Sequence, residues 1–163
     1  MIKLIVLDVD GTLTDGKITY NNEGNELKSF NVKDGLGIAA WIKLGKKAAI
    51  ITGRKSQIVE NRAKELGITY IKQGISNKAN ALYEILDQSQ IHIDEVAIIG
   101  DDLNDLSMFK IAKYTFAPKD SAKEIQRIAH MVLSKKGGKG AVREMIDILI
   151  KQENLEDKLY EIF

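Results

Sequence analysis

The stretch "LIVLDVDGTLTDG", Leu4 to Gly16, decides the fold of this chain. Leu4, Ile5, Val6 and Leu7 form an apolar run that stops abruptly at Asp8-Val9-Asp10-Gly11-Thr12. Bounded in this way, the run reads as a strand covered on both faces, the pattern of a parallel sheet sandwiched between helices. Carboxylates are costly to bury, and two at one strand end repel each other, so Asp8 and Asp10 need a reason to be there. Residues two apart on an extended chain point to the same side, which lets this pair share one reaction centre.

The rest of the chain repeats the theme. After a first strand over Lys3–Leu7, strands are predicted over Ala48–Thr52, Thr69–Ile71, Val96–Ile99, Tyr114–Ala117 and Met131–Leu133. Helices are predicted over Gly37–Leu44, Ser56–Leu66, Lys78–Ser89, Leu103–Ile111, Ala122–Ile128 and Ala141–Lys151. This alternation implies an α/β fold, a Rossmann-like parallel sheet with helices on both faces. Its chemistry is expected beyond the carboxyl ends of the strands, near a topological switch point. One segment departs from the pattern. In "GKITYNNEGNELKSFNV", about residues 16–32, Ile18 and Tyr20 precede Asn-Asn-Glu-Gly-Asn, and Leu27, Phe30 and Val32 follow it. That is a β-hairpin signal, and a lone hairpin is marginal in water, so it should lean on something.

Length and composition set the outer bounds. The 163 residues, 44% hydrophobic and 29% charged, suit a single soluble domain spanning 1–163, with a C-terminal segment at about 135–163. Lys and Arg number 24 against 23 Asp and Glu, which leaves no overall field to draw nucleic acid or a membrane surface. The absence of cysteine excludes disulfides, thiolate metal sites and a cysteine nucleophile. No apolar stretch approaches the roughly 20 residues of a membrane span, and none resembles a signal peptide, so a cytoplasmic location is expected.

The residues that follow the strands carry the chemistry. Asp8 and Asp10 follow the first, and Thr52-Gly53-Arg54 closes the second. Lys78 opens a helix, and Asp101-Asp102-Leu103-Asn104-Asp105 follows "VAIIG". Several carboxylates with a hydroxyl and an ammonium call for a hard cation, and an all-oxygen donor set favours magnesium. An ionised Asp attacks phosphorus to give an aspartyl phosphate. A second Asp, kept protonated by its neighbours, gives its proton to the leaving alcohol and then activates water. Thr52 and Lys78 would hold the phosphoryl oxygens. Singly, each residue has a plainer role. Asp at a strand end is commonly a turn or cap residue, and Asp102 and Asp105 fit the start of the helix near Leu103. Lys78 fits a surface lysine less well, because a cation in a first helical turn opposes the macrodipole.

In this order, Asp8-Val9-Asp10-Gly11-Thr12, Thr52, Lys78 and Gly100-Asp101-Asp102-Leu103-Asn104-Asp105 resemble the phosphatases of the haloacid dehalogenase superfamily, over nearly the whole chain. The resemblance implies that Asp8 is the nucleophile and Asp10 the general acid/base. It implies Mg2+ held by the Asp8 carboxylate, the Asp10 backbone carbonyl and Asp101, with Asp105 orienting Lys78 or the metal waters. Within the superfamily, "DVDGTLTDG", "FNVKDGLGI", "ITGRKS", "NRAKELGI", "GDDLND" and "GGKGAVREMID" are similar to the 3-deoxy-D-manno-octulosonate (KDO) 8-phosphate phosphatases. That family implies a magnesium-dependent homotetramer of lipopolysaccharide synthesis, its subunits joined through the hairpins. The alternative within enzymes is a nonulosonate (sialic-acid-type) 9-phosphate phosphatase, whose members tend to carry Glu after Thr-Gly where this chain has Arg54.

The intervals between motifs hold no separate cap domain, and an uncapped site is open to water unless another chain covers it. An arginine fork suits a sugar-acid carboxylate, so Arg54 is a candidate for substrate binding, with Arg62 further along the same helix as a second. Lys139 or Arg143, from a glycine-rich segment expected to be mobile until ordered, is expected to reach a neighbouring subunit's site. Two other motifs compete. "GLGIAA", Gly35–Ala40, fits the dinucleotide pattern but follows polar "NVKD" rather than a buried strand. "KKGGKG", Lys135–Gly140, lacks P-loop spacing. A receiver-type phosphoacceptor domain is disfavoured, because there the phosphorylated Asp ends a later strand than the acidic pair.

Overall fold

A computed structural model describes all residues from Met1 to Phe163. Strand β1 (Leu4–Leu7) is followed by a two-stranded ribbon, β2 (Thr19–Tyr20) and β3 (Glu26–Leu27). Then come α1 (Val32–Lys43), β4 (Lys47–Ile51), α2 (Gln57–Glu65), β5 (Tyr70–Lys72) and α3 (Lys78–Ser89). The second half holds β6 (Val96–Ile99), α4 (Leu106–Phe109), β7 (Tyr114–Ala117), α5 (Lys123–Ile128), β8 (Met131–Val132), α6 (Ala141–Gln152) and α7 (Glu156–Ile162).

The main sheet has the order β5-β4-β1-β6-β7-β8, and every pair is parallel. The chain winds outward from β1 to β5, then returns across β1 to start again at β6. The switch point therefore lies at the carboxyl end of β1, between β4 and β6. Alternation explains the unbroken apolar strands. Ile5 and Leu7 of β1 enter one core with Ile50, Ile99, Trp41 and Met145, under α1, α2 and α6. Leu4 and Val6 enter the other with Ile51, Ile98, Leu82 and Phe109, under α3, α4 and α5. A strand with helices on both faces has no solvent side on which to put a polar residue. No helix is long and apolar enough to cross a membrane.

Most elements fall within a residue of expectation, and the larger differences have local causes. Helix α1 begins at Val32, five residues before the predicted Gly37, because the Asn31 side chain caps it by accepting from the Lys33 amide at 2.8 Å. The hairpin therefore ends before Phe30 and Val32, and its strands are only two residues each. The predicted Leu103–Ile111 helix is a 3-10 turn, Leu103–Asp105, followed by the short α4. Helix α7, which was not predicted, packs Leu159 and Ile162 onto the first core.

The two competing motifs also find structural places. Gly35–Ala40 lies inside α1, so it forms no phosphate-binding turn; its glycines admit the side chains of Arg62 and Arg143 close to the helix. The Lys135–Gly140 loop is not left free as expected. It is laid against the loop after β1, with the Gly138 amide donating to the Thr12 carbonyl at 2.9 Å. A Cβ on Gly137 would sit 1.7 Å from the Gly11 carbonyl oxygen, so only glycine allows this approach.

Candidate active site

The carboxyl edge of the sheet gathers the residues that follow β1, β4 and β6 around the first turn of α3. Asp8 prolongs β1, its amide donating to the Ile99 carbonyl at 3.1 Å, which aims its side chain over the edge. Beyond it the chain turns tightly, with the Val9 carbonyl accepting from the amides of Thr12 and Thr14. Gly11, at φ +89°, lies so close to Asp101 that a Cβ would come within 2.0 Å of its Oδ2. That contact brings the β6 loop against the β1 loop. Thr52 is held on both sides, its amide donating to Lys72 at 3.0 Å and its carbonyl accepting from Ile75 at 3.1 Å.

Lys78 is the centre of the cluster. It opens α3, where Asn77 caps the helix by accepting from the Asn80 amide. Its side chain is 1% exposed and donates to Asp8 Oδ1 at 2.7 Å and Asp105 Oδ1 at 2.6 Å. Burial disfavours the ammonium, yet the two carboxylates together raise its pKa above the ordinary lysine value. The other Asp105 oxygen accepts the amides of Asp101 at 2.8 Å and Asp102 at 3.2 Å. Asp105 thereby accepts three hydrogen bonds, and it orients Lys78. Asp102 caps the 3-10 turn, the plainer role open to it.

Asp8, Asp101 and Asp105 place carboxylate oxygens within 4.8 Å of one another. Burial, then the neighbouring carboxylates, push Asp8 up to about 6 and Asp101 up to about 8. Asp101 Oδ1 is buried without a hydrogen-bond partner. Lys78 and two amides engage Asp105, while Asp101 keeps an unpartnered oxygen beside Asp8 to receive a cation. A buried orphan oxygen, like-charged neighbours and an all-oxygen donor set together fit a magnesium ion.

Asp10 stands at the rim, its side chain 20% exposed. It meets the hairpin there, and its neighbours are cations rather than the groups expected to keep a proton on it: Lys28 Nζ donates to Asp10 Oδ1, and Arg54 Nε lies 4.0 Å from Asp10 Oδ2. Arg54 also bonds the Tyr20 hydroxyl at 3.3 Å and pairs with Glu26. The structure therefore brings Arg54 to Asp10 but leaves Arg62 behind. Arg62 stacks on Phe30 at 5.7 Å, pairs with Glu65 and contributes no contact to the carboxylate cluster. Arg143 Nε bonds Asp147 at 2.8 Å and its stem packs on Gly37. Lys139 lies near enough to Asp15, on the β1 loop, to help lower that carboxyl's pKa, after the Lys17 amide and Lys17 charge.

The hairpin residues Glu26 and Lys28 were not anticipated, and a signal for them exists. They are two apart on an extended stretch and face one way, as Asp8 and Asp10 do. The apolar Leu27 between them faces the other way and is 52% exposed. The hairpin's inner face is charged because it covers a carboxylate site rather than a core. Asp34 was also missed: buried in α1, it accepts the Arg143 amide at 2.9 Å and so caps α6, whose own cap position is Gly140.

Comparison with known proteins gives a consistent set of matches. A family profile of haloacid dehalogenase-like hydrolases matches residues 71–146. The 3-deoxy-D-manno-octulosonate 8-phosphate phosphatase KdsC of Yersinia pestis is 45% identical over 156 residues, 95% of this chain and 83% of that protein. The crystal structure of the corresponding phosphatase from Moraxella catarrhalis, in complex with magnesium ion, phosphate ion and KDO, superposes with a TM-score of 0.95 at 42% identity. That match covers 99% of this chain and 93% of the other. A cobalt-bound form of the Haemophilus influenzae enzyme superposes with a TM-score of 0.89 at 38% identity, covering 92% and 88% of the two chains.

Proposed function

Because this chain belongs to the 3-deoxy-D-manno-octulosonate 8-phosphate phosphatases of the haloacid dehalogenase-like hydrolases, we propose that its switch-point cluster cleaves that sugar-acid phosphate through an aspartyl phosphate. It is a magnesium-dependent phosphoric monoester hydrolase, and the nonulosonate 9-phosphate alternative is not favoured. The observation that carries the residue assignment is the buried Asp8–Lys78–Asp105 chain beside the unpartnered Asp101 oxygen.

Asp8 is the nucleophile. As its oxygen bonds to phosphorus, the ester P–O bond breaks and the departing oxygen takes a proton from Asp10. Water then attacks phosphorus and passes a proton back to Asp10, so that phosphate leaves and Asp8 is restored. Lys78 and Thr52 hold phosphoryl oxygens, and Asp105 keeps Lys78 aimed. Asp8, Asp101 and the Asp10 carbonyl would hold magnesium, which when bound offsets the charge of the carboxylates and the phosphoryl group. Arg54 sits beside Asp10 on the hairpin side, where the substrate carboxylate would meet its fork.

The homotetramer belongs to the same proposal. Ile18, Tyr20 and Leu27 of the hairpin and Val32 and Leu36 of α1 are exposed apolar side chains, the surface through which subunits would join. Lys139 or Arg143 would then approach a neighbour's substrate. The test is hydrolysis of 3-deoxy-D-manno-octulosonate 8-phosphate with magnesium, beside a nonulosonate 9-phosphate, by the native chain and Asp8→Asn. Turnover of the first substrate that Asp8→Asn abolishes in a folded protein supports the reading. Turnover of Asp8→Asn within tenfold of native removes the covalent mechanism.

A further inference from the structure

The hairpin buries a lysine beside the acid/base. Lys28, immediately after β3, keeps only 2% of its side chain exposed. Its ammonium addresses two carboxylates, Asp10 Oδ1 and, at 3.2 Å, Glu26 Oε1. Taking a lysine out of water is expensive, and such pairs at best recover that cost. A hairpin that only had to turn would carry a neutral residue here. Glu26 is in turn paired with Arg54, which anchors the lysine's second partner to the loop after β4.

Asp10 needs such support. It lies in the loop beyond β1, outside the parallel ladder, and Lys28 is the one hydrogen-bond donor to its carboxyl group. Arg54 stands farther off, at 4.0 Å from the other oxygen. A group that must meet a leaving oxygen within hydrogen-bond reach is worth little if it rotates freely.

We propose that Lys28 is a positioning residue for the reaction, holding the Asp10 carboxyl group in the orientation from which it protonates the leaving alcohol. The β2–β3 hairpin is then part of the catalytic machinery as well as a surface. The inference rests on the reading of Asp10 as the general acid. Lys28 itself transfers nothing: the proton passes from Asp10 to the ester oxygen as the P–O bond breaks.

Leaving-group dependence separates positioning from mere structural support. A sugar alcohol is a poor leaving group and needs the proton, whereas p-nitrophenolate departs without one. The ratio kcat/KM covers every step up to release of the alcohol. Lys28→Met, which keeps the apolar stem, should lower kcat/KM for the sugar-acid phosphate about 100-fold, the scale of a misplaced catalytic group. For p-nitrophenyl phosphate it should change little, and Lys28→Gln, which keeps a donor without the charge, should fall between. Asp10→Asn is the reference and should show the same substrate dependence more strongly. If Asp10→Asn slows both substrates equally, the reading of Asp10 fails. If Asp10→Asn discriminates and folded Lys28→Met does not, the role assigned to Lys28 is overturned while Asp10 stands. Should Lys28→Met not fold, the same ratio measured on Lys28→Gln decides.

Discussion

Replacing Lys78 by methionine tests the electrostatics of the site most directly. The substitution keeps the length of a side chain that is 1% exposed and removes the one cation among Asp8, Asp101 and Asp105. Breaking a buried ion pair from one side costs about 3–5 kcal/mol, because the partner stays buried without compensation. Here two partners are orphaned, at 2.7 and 2.6 Å, so the upper part of that range is expected. For a chain of this size each kcal/mol shifts Tm by about 2–4 °C, which puts the loss near 10–20 °C. Denaturant unfolding at neutral pH in excess chelator gives the free energy itself. The double variant Lys78→Met with Asp105→Asn removes one of the orphaned charges, so it should cost at least about 1 kcal/mol less than the two single changes added together. Magnesium should restore part of the stability of Lys78→Met but none of its lost turnover. A loss below about 1 kcal/mol, or strict additivity in the double variant, would refute the view that Lys78 compensates this cluster.

Three further outcomes follow from the site. Arg54→Ala should raise KM for the sugar-acid phosphate roughly 10- to 150-fold, the worth of a charge-assisted contact of about 1.5–3 kcal/mol, and far less for a small phosphate ester; equal effects would show that Arg54 serves the phosphate or the hairpin instead. Without metal, Asp8 at about 6 and Asp101 at about 8 bind protons more tightly than in the unfolded chain, where the ordinary value is 3.8. Their contribution to stability should therefore be greatest at acid pH and fall as pH rises through that window, so the Tm gain on adding magnesium should be larger at pH ~8 than at pH ~5; a gain independent of pH contradicts the assignment of these carboxylates to the cation. Gly137→Ala puts a methyl group 1.7 Å from the Gly11 carbonyl oxygen. The displaced loop should cost about 1–3 kcal/mol in unfolding experiments and depress turnover, and a variant with native activity would show that the two loops are not mechanically linked.

Much of the site was legible because it is built on strands. An apolar run that ends in a polar residue announces both the buried strand and its functional end, so Asp8, Thr52 and Asp101 could be placed at one edge before any coordinates. Lys78 was legible through a local contradiction, a cation in the first turn of a helix. The hairpin was legible as a hairpin and no further. Alternation says that two faces differ, but it does not say which face turns inward. The pattern marked the hairpin without fixing its inner face, and the site took Glu26 and Lys28. The start of α1 was missed because Asn31 announces a helix only if its side chain turns back onto Lys33, and the same residue type also suits a hairpin end.

The sequence by itself determined the layered fold, which strand ends carry the chemistry and the oxygen-rich character of the centre. Those follow from periodicity and residue type, which act over a few neighbouring positions. Residue type left open how the carboxylates divide their labour; the family resemblance implied a division, and the contacts that express it come from the tertiary structure. Asp105 became the partner of Lys78 and Asp101 kept an unpartnered oxygen because residues 27 and 70 positions from Lys78 converge on one ammonium. Tertiary structure alone laid the Gly137–Gly138 backbone against Gly11 and Thr12, and it alone brought Lys28 to Asp10. Such contacts depend on distances of about 3 Å between segments far apart in the chain, and no pattern along the chain encodes a distance across it.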